Sequence, residues 1–131
     1  MIGVDSNVLI RFLTNDEPTQ AEQARKLMAS WTADEPGHVS LVALVETWWV
    51  LEHHYRIARE RLLDVIQGLL DTPSLVFQCS DDIRRAIQSS RSLGIDLPDV
   101  LLVHLDASLG CEATVTFDRR AARIPGIRLV Q

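Results

Sequence analysis

The sequence predicts an α/β fold: a short parallel sheet with helices on both faces. Two observations predict it. Short β-rich runs alternate with amphipathic helices along the whole chain, the pattern of successive βα units. Aspartates also follow the first and fourth of those runs, at the ends of strands where such sheets open their ligand crevice.

Ile2 to Asp5 reads as a first strand ending in an acid, and Asn7 to Leu13 as one or two helical turns. After the loop Asn15-Asp16-Glu17-Pro18, a helix is expected from about Thr19 to Ala33, with Ala24, Leu27, Met28 and Trp31 on one face. Pro18 suits its first turn, where no N–H is needed. Asp34-Glu35-Pro36-Gly37 signals a turn. His38 to Ser40 is a short strand, and Ser40 can cap a helix from Leu41 to about Tyr55. The next helix spans roughly Arg59 to Leu70, striped by Leu62, Leu63, Ile66, Leu69 and Leu70, and Pro73 ends it. Leu75 to Gln78 is a strand. Asp81 to about Leu93 is a helix stopped by Gly94, and Leu97 to Leu109 another, with Asp96 as cap and Gly110 as end. Ala113 to Thr116 is a strand, Arg119 to Arg123 a short helix, and Ile127 to Val130 a last strand. No repeat, linker or low-complexity tract interrupts residues 1–131, so one domain is expected.

Composition narrows the function classes. At 131 residues and 47% hydrophobic, the chain can bury one real core, and 5% aromatic content makes that core aliphatic. No apolar run approaches the roughly 20 residues of a membrane helix. The start, Met-Ile-Gly-Val-Asp, has no basic region before an apolar stretch, so no secretory signal is expected. Cys79 and Cys111 lack metal-site spacing, and a reduced, cytoplasmic setting fits them. A net charge of −5 argues against wrapping duplex nucleic acid, although metal ions can reverse the field locally.

Four acids carry the functional reading: Asp5, Glu46, Asp99 and Asp118. Asp5 and Asp118 lie at strand ends. Glu46 has Val42, Ala43, Trp49 and Val50 as helical neighbours, so a buried carboxylate in need of a cation is expected there. Asp99 stands in the first turn of an apolar helix. Asp106 lies about 10 Å further along the axis, too far to share an ion whose oxygens bind near about 2.1 Å. Each acid also has a structural reading: Asp5 can cap the helix after it, Asp99 can pair with Asp96 at a helix start, Asp118 can turn the chain, and Glu46 can bond backbone. One metal site would account for all four. Clustered carboxylates repel unless a cation compensates, and an oxygen-only set favours Mg²⁺ or Mn²⁺. Such an ion suits phosphodiester hydrolysis.

Val4-Asp5-Ser6-Asn7-Val8-Leu9, Glu46 in its apolar helix, Asp96-Leu97-Pro98-Asp99-Val100-Leu101-Leu102 and Thr114-Val115-Thr116-Phe117-Asp118-Arg119 together resemble a PIN domain. More narrowly, the chain resembles the VapC-type toxins of toxin–antitoxin pairs. The resemblance implies strand order 3-2-1-4-5, Mg²⁺-dependent endoribonuclease activity, a small antitoxin partner and a homodimer. It maps the acidic set onto Asp5, Glu46, Asp99 and Asp118, with Asn7 and Thr116 as supporting polar positions. Pro98 departs from the usual small or apolar residue, harmlessly in a first turn. Arg119, Arg120 and Arg123 could meet RNA phosphates, or simply form a solvated face. Trp48 and Trp49 point about 100° apart, so one is expected outside, where a dimer or antitoxin surface would suit it.

Other functions fit less well. A receiver domain needs a late lysine, and Lys26 is the sole lysine. A dehalogenase-like phosphatase needs a second aspartate where Asn7 stands. A flap-type DNA nuclease is longer. A catalytically inactive PIN-fold binding module remains the main alternative, disfavoured because all four acids are present.

Overall fold

A computed structural model describes residues 1–131. The order is β1 (Ile2–Gly3), α1 (Ser6–Leu13), α2 (Pro18–Ala29), β2 (Gly37–Val39), α3 (Leu41–His53), α4 (Arg59–Leu70), β3 (Leu75–Phe77), α5 (Ser80–Leu93), α6 (Leu97–Ser108), β4 (Thr114–Thr116), a 3-10 turn at Ala121–Arg123 and β5 (Ile127–Leu129). Six helices and short parallel strands make this the α/β fold that the sequence predicts. The chain divides into two compact units, Met1–Ser80 and Asp81–Gln131.

In the first unit β2 is the central strand of a parallel sheet, with Gly37 beside both Ile2 and Leu75, and Val39 beside Phe77. Val39 is fully buried, as a strand covered on both sides requires. Trp31 lies flat against Gly37: a Cβ there would come within 2.4 Å of the indole. Helix α1 packs on α2 and α3, and α4 packs on α3 and β3. The stripe on α4 is buried as expected, with Leu62, Leu63 and Ile66 at 0% exposure. In the second unit β4 and β5 pair in parallel, Thr114 beside Ile127 and Thr116 beside Leu129. The expected order 3-2-1-4-5 is met in its two parts, β3-β2-β1 and β4-β5, which form separate sheets of three and two strands. With only Ile2 and Gly3 in β1, that strand is too short to carry much ladder.

Two helical expectations need correction. Helix α2 ends at Ala29, four residues early, because Ser30 Oγ bonds the Leu27 carbonyl at 2.5 Å and closes the last turn. Trp31 is therefore buried from the following loop, and Leu27 faces outward at 39% exposure. Helix α3 is apolar nearly all round: its inner face is Ala43, Leu44, Thr47, Trp48 and Leu51, its outer face Val42, Val45, Glu46 and Trp49. Thr47 satisfies its buried hydroxyl by donating to the Ala43 carbonyl at 2.7 Å.

Candidate acidic site

The first unit holds two of the acids, linked through Ser6. Asp5 is the N-cap of α1, with an extended backbone and a carboxylate that accepts from the Asn7 N–H at 3.4 Å. The residue after it, Ser6, is buried, and its Oγ donates to Glu46 Oε2 at 3.3 Å. One short segment at the end of β1 therefore carries one acid and orients another across a sequence gap of 40 residues. Glu46 itself is exposed, which overturns the expectation of a buried carboxylate. Its apolar helical neighbours are on the outer face of α3 with it: Val42 is 69% and Trp49 60% exposed. The carboxylate is thus solvated and needs no cation for solubility. It is free to accept one.

The second unit brings the other two together. Asp99 sits in the first turn of α6, after Asp96 at the N-cap and with Pro98 harmlessly in that turn. Its pKa is raised, first by burial and then by the negative charges of Asp96 and Asp118, and Arg120 offsets part of this. Asp118 follows β4, and its loop is tightly wired. The Asp118 N–H donates to Thr116 Oγ1 at 3.0 Å, and Asp118 Oδ1 accepts from the Arg120 N–H at 2.8 Å. The supporting position Thr116 therefore fixes the backbone that presents Asp118. Burial and the neighbouring negative charges make Asp99 hold its proton tightly, and a divalent cation would relieve that. The donors are all oxygens, which suits a hard ion. No group of three or more His, Cys, Asp or Glu side chains is gathered closely enough to hold a metal ion.

The remaining expected residues separate by what they touch. Arg120 bears on Asp99 electrostatically. Arg123 donates to the Leu93 carbonyl at 2.5 Å, closing the end of α5, so a structural contact occupies its guanidinium. Arg119 is exposed. Asp106 accepts from Thr114 Oγ1 at 2.7 Å, a bond from α6 to β4. His104 takes a hydrogen bond with Ser89 at 3.2 Å, and its pKa is lowered, chiefly by burial. Cys79 and Cys111 are free and exposed. Sequence reasoning assigned no role to Ser6. The available signal was a small hydroxyl residue directly after a strand-end acid, in a helix that turns it inward.

No helix is long and apolar enough to cross a membrane. Comparison with curated proteins gives no match. A PIN domain model does match, over residues 2–127, taking in all four acids and both units, and the chain therefore belongs to the PIN domain family.

Proposed function

We propose that this chain is a Mg²⁺- or Mn²⁺-dependent endoribonuclease, with Asp5, Glu46, Asp99 and Asp118 as the ion-holding carboxylates. PIN domains are typically nucleases, often metal-dependent ribonucleases. The observation that carries the reading is a family match that takes in all four acids, with an oxygen-only donor set suited to a hard cation. When bound, the cation would supply the charge that lowers the pKa of water and neutralises the phosphate.

The protein's own contributions are positional. Ser6 bonds Glu46, the Asn7 backbone N–H steadies the Asp5 cap, and Thr116 fixes the Asp118 loop. Arg120, with Arg119 beside it, offers positive charge for RNA phosphates close to Asp99. The bond cleaved is a phosphodiester, with a 3′-hydroxyl as leaving group. In the finer reading the chain acts in the cytoplasm as one PIN domain over residues 1–131. It is the VapC-type toxin of a two-component module, works as a homodimer and is inhibited by a small antitoxin.

The test is purified protein with structured RNAs, with and without Mg²⁺, alongside Asp5→Asn and Asp99→Asn. Cleavage that stops with EDTA and is lost by at least about a hundredfold in both variants is expected. Cleavage that ignores EDTA and survives both substitutions would discard the mechanism. A protein that binds RNA and never cleaves it would instead be a catalytically inactive PIN-fold module.

A further inference from the structure

Of the three tryptophans, Trp48 and Trp31 are 1% and 9% exposed, whereas Trp49 is 60% exposed. It lies one helical turn beyond Glu46 on the same outer face of α3, and residues three apart on a helix are neighbours. The ring is not loose. It stacks on His53 with centroids 4.6 Å apart and planes 25° from parallel. His53 is itself tied down, its Nδ1 lying 3.0 Å from the Trp49 carbonyl oxygen. One face of the indole is thus backed by a fixed imidazole while the residue stays largely open to solvent. Val45, Glu46, Trp49 and Val50 line a recess of about 300 Å³ there. A second recess, of about 290 Å³, shares Val50 and has Arg11, Asp16 and His54 on its wall.

We propose that Trp49 is a stacking platform for a nucleobase of single-stranded RNA bound beside Glu46. This rests on the ribonuclease reading and names the kind of substrate that reaches its acids. A flat aromatic surface accepts any base, because every base has a π-face, and such stacking needs little hydrogen bonding. The competing occupant of this face is an apolar protein surface covering Val42, Val45 and Trp49. That surface would also cover the Glu46 carboxylate, whose one side-chain donor is a 3.3 Å hydrogen bond from Ser6. Burying a charge so thinly compensated is costly. A base lying on the indole leaves the carboxylate in water and open to a cation. The shared Val50 lets the strand continue toward His54, while Arg11 on the same wall is already engaged by Asp16 at 3.4 Å and Gln20 at 2.7 Å.

Because the other two indoles are buried, tryptophan fluorescence reports this site selectively. The probe is an unstructured ten-nucleotide RNA, titrated into the full chain carrying Asp99→Asn to block hydrolysis. Quenching of the solvent-exposed emission is expected. Adding Trp49→Ala should remove it and weaken binding by about fivefold to a hundredfold, with Trp49→Phe restoring most of the affinity. In the active chain Trp49→Ala should raise KM while leaving kcat nearly unchanged. Trp49→Ala binding as tightly as its parent overturns the proposal. So does sedimentation showing a dimer that Trp49→Ala converts to a monomer, since a second copy then owns this face. If no RNA is ever cleaved yet quenching and the affinity loss persist, the ribonuclease reading falls and the platform stands.

Discussion

Replacing Gly37 by alanine tests how tightly Trp31 packs against β2. The new Cβ would sit 2.4 and 2.5 Å from Trp31 Cζ3 and Cε3, and 3.0 Å from Cη2. Ordinary contact begins near 3.4 Å, so something must move by about 1 Å. The backbone cannot, because β2 is held on both sides: Gly37 pairs with Ile2 and Leu75 and donates to the Ser74 carbonyl at 2.9 Å. The indole must therefore retreat, although it is 91% buried and rigid. Overpacking of this kind costs about 1–3 kcal/mol. Alanine returns about 0.4–1 kcal/mol by restricting the unfolded chain, leaving a net loss of about 1–2 kcal/mol. For a chain of this length that is a Tm lower by roughly 3–10 °C in a thermal melt. Trp31→Leu in the same chain should make Gly37→Ala nearly neutral, giving a coupling of about 1–2 kcal/mol in the double-mutant cycle. Should Gly37→Ala instead melt above the wild type, the alanine gain is acting unopposed and the indole does not lie on β2.

Removing the Ser6 hydroxyl with Ser6→Ala frees Glu46 to rotate, and supporting residues of this kind are worth about tenfold or more in metal affinity. The Mg²⁺ concentration for half-maximal cleavage should rise by that factor while the melting temperature barely changes. Asp99 gives a pH signature. Its pKa in the folded chain is raised, so above the ordinary value of 3.8 the folded state binds the proton more tightly than the unfolded one. In EDTA, stability against urea should therefore decline as pH climbs from 3.8 through the raised folded pKa, and Asp99→Asn should lack that decline. Ile66→Ala, at a position with 0% exposure, should cost about 2–5 kcal/mol, whereas Val42→Ala, at 69% exposure, should shift urea unfolding by less than about 0.5 kcal/mol.

How much of this was legible in the sequence follows from what each residue's neighbours dictate. Helix α4 matches its expected span because its leucines and Ile66 recur on one stripe that Pro73 brings to an end. Ser40 was read as a cap, and its Oγ does accept from the Ala43 N–H at 3.1 Å. The expectation that one of the paired tryptophans would be outside also held. Glu46 was misread for the opposite reason. Helix α3 is apolar on both faces, so periodicity cannot tell which side the core takes, and an acid among valines looks buried when it is not. The end of α2 was overrun because Trp31 continues the helical spacing in sequence, and only the Ser30 side-chain bond reveals where the turns stop. Arg123 looked like one of three equivalent arginines, since a contact with a carbonyl 30 residues away leaves no trace in local pattern.

Asp5 holds two duties at one atom pair. As N-cap of α1 it steadies a helix start, and as a strand-end carboxylate it is a prospective ligand. Alanine at that position would conflate the two losses, fraying the helix while abolishing the charge, so a dead Asp5→Ala protein would say little about chemistry. Asparagine caps helices about as well as aspartate. It would silence the carboxylate and spare the scaffold, which makes the amide the informative knock-out at this position.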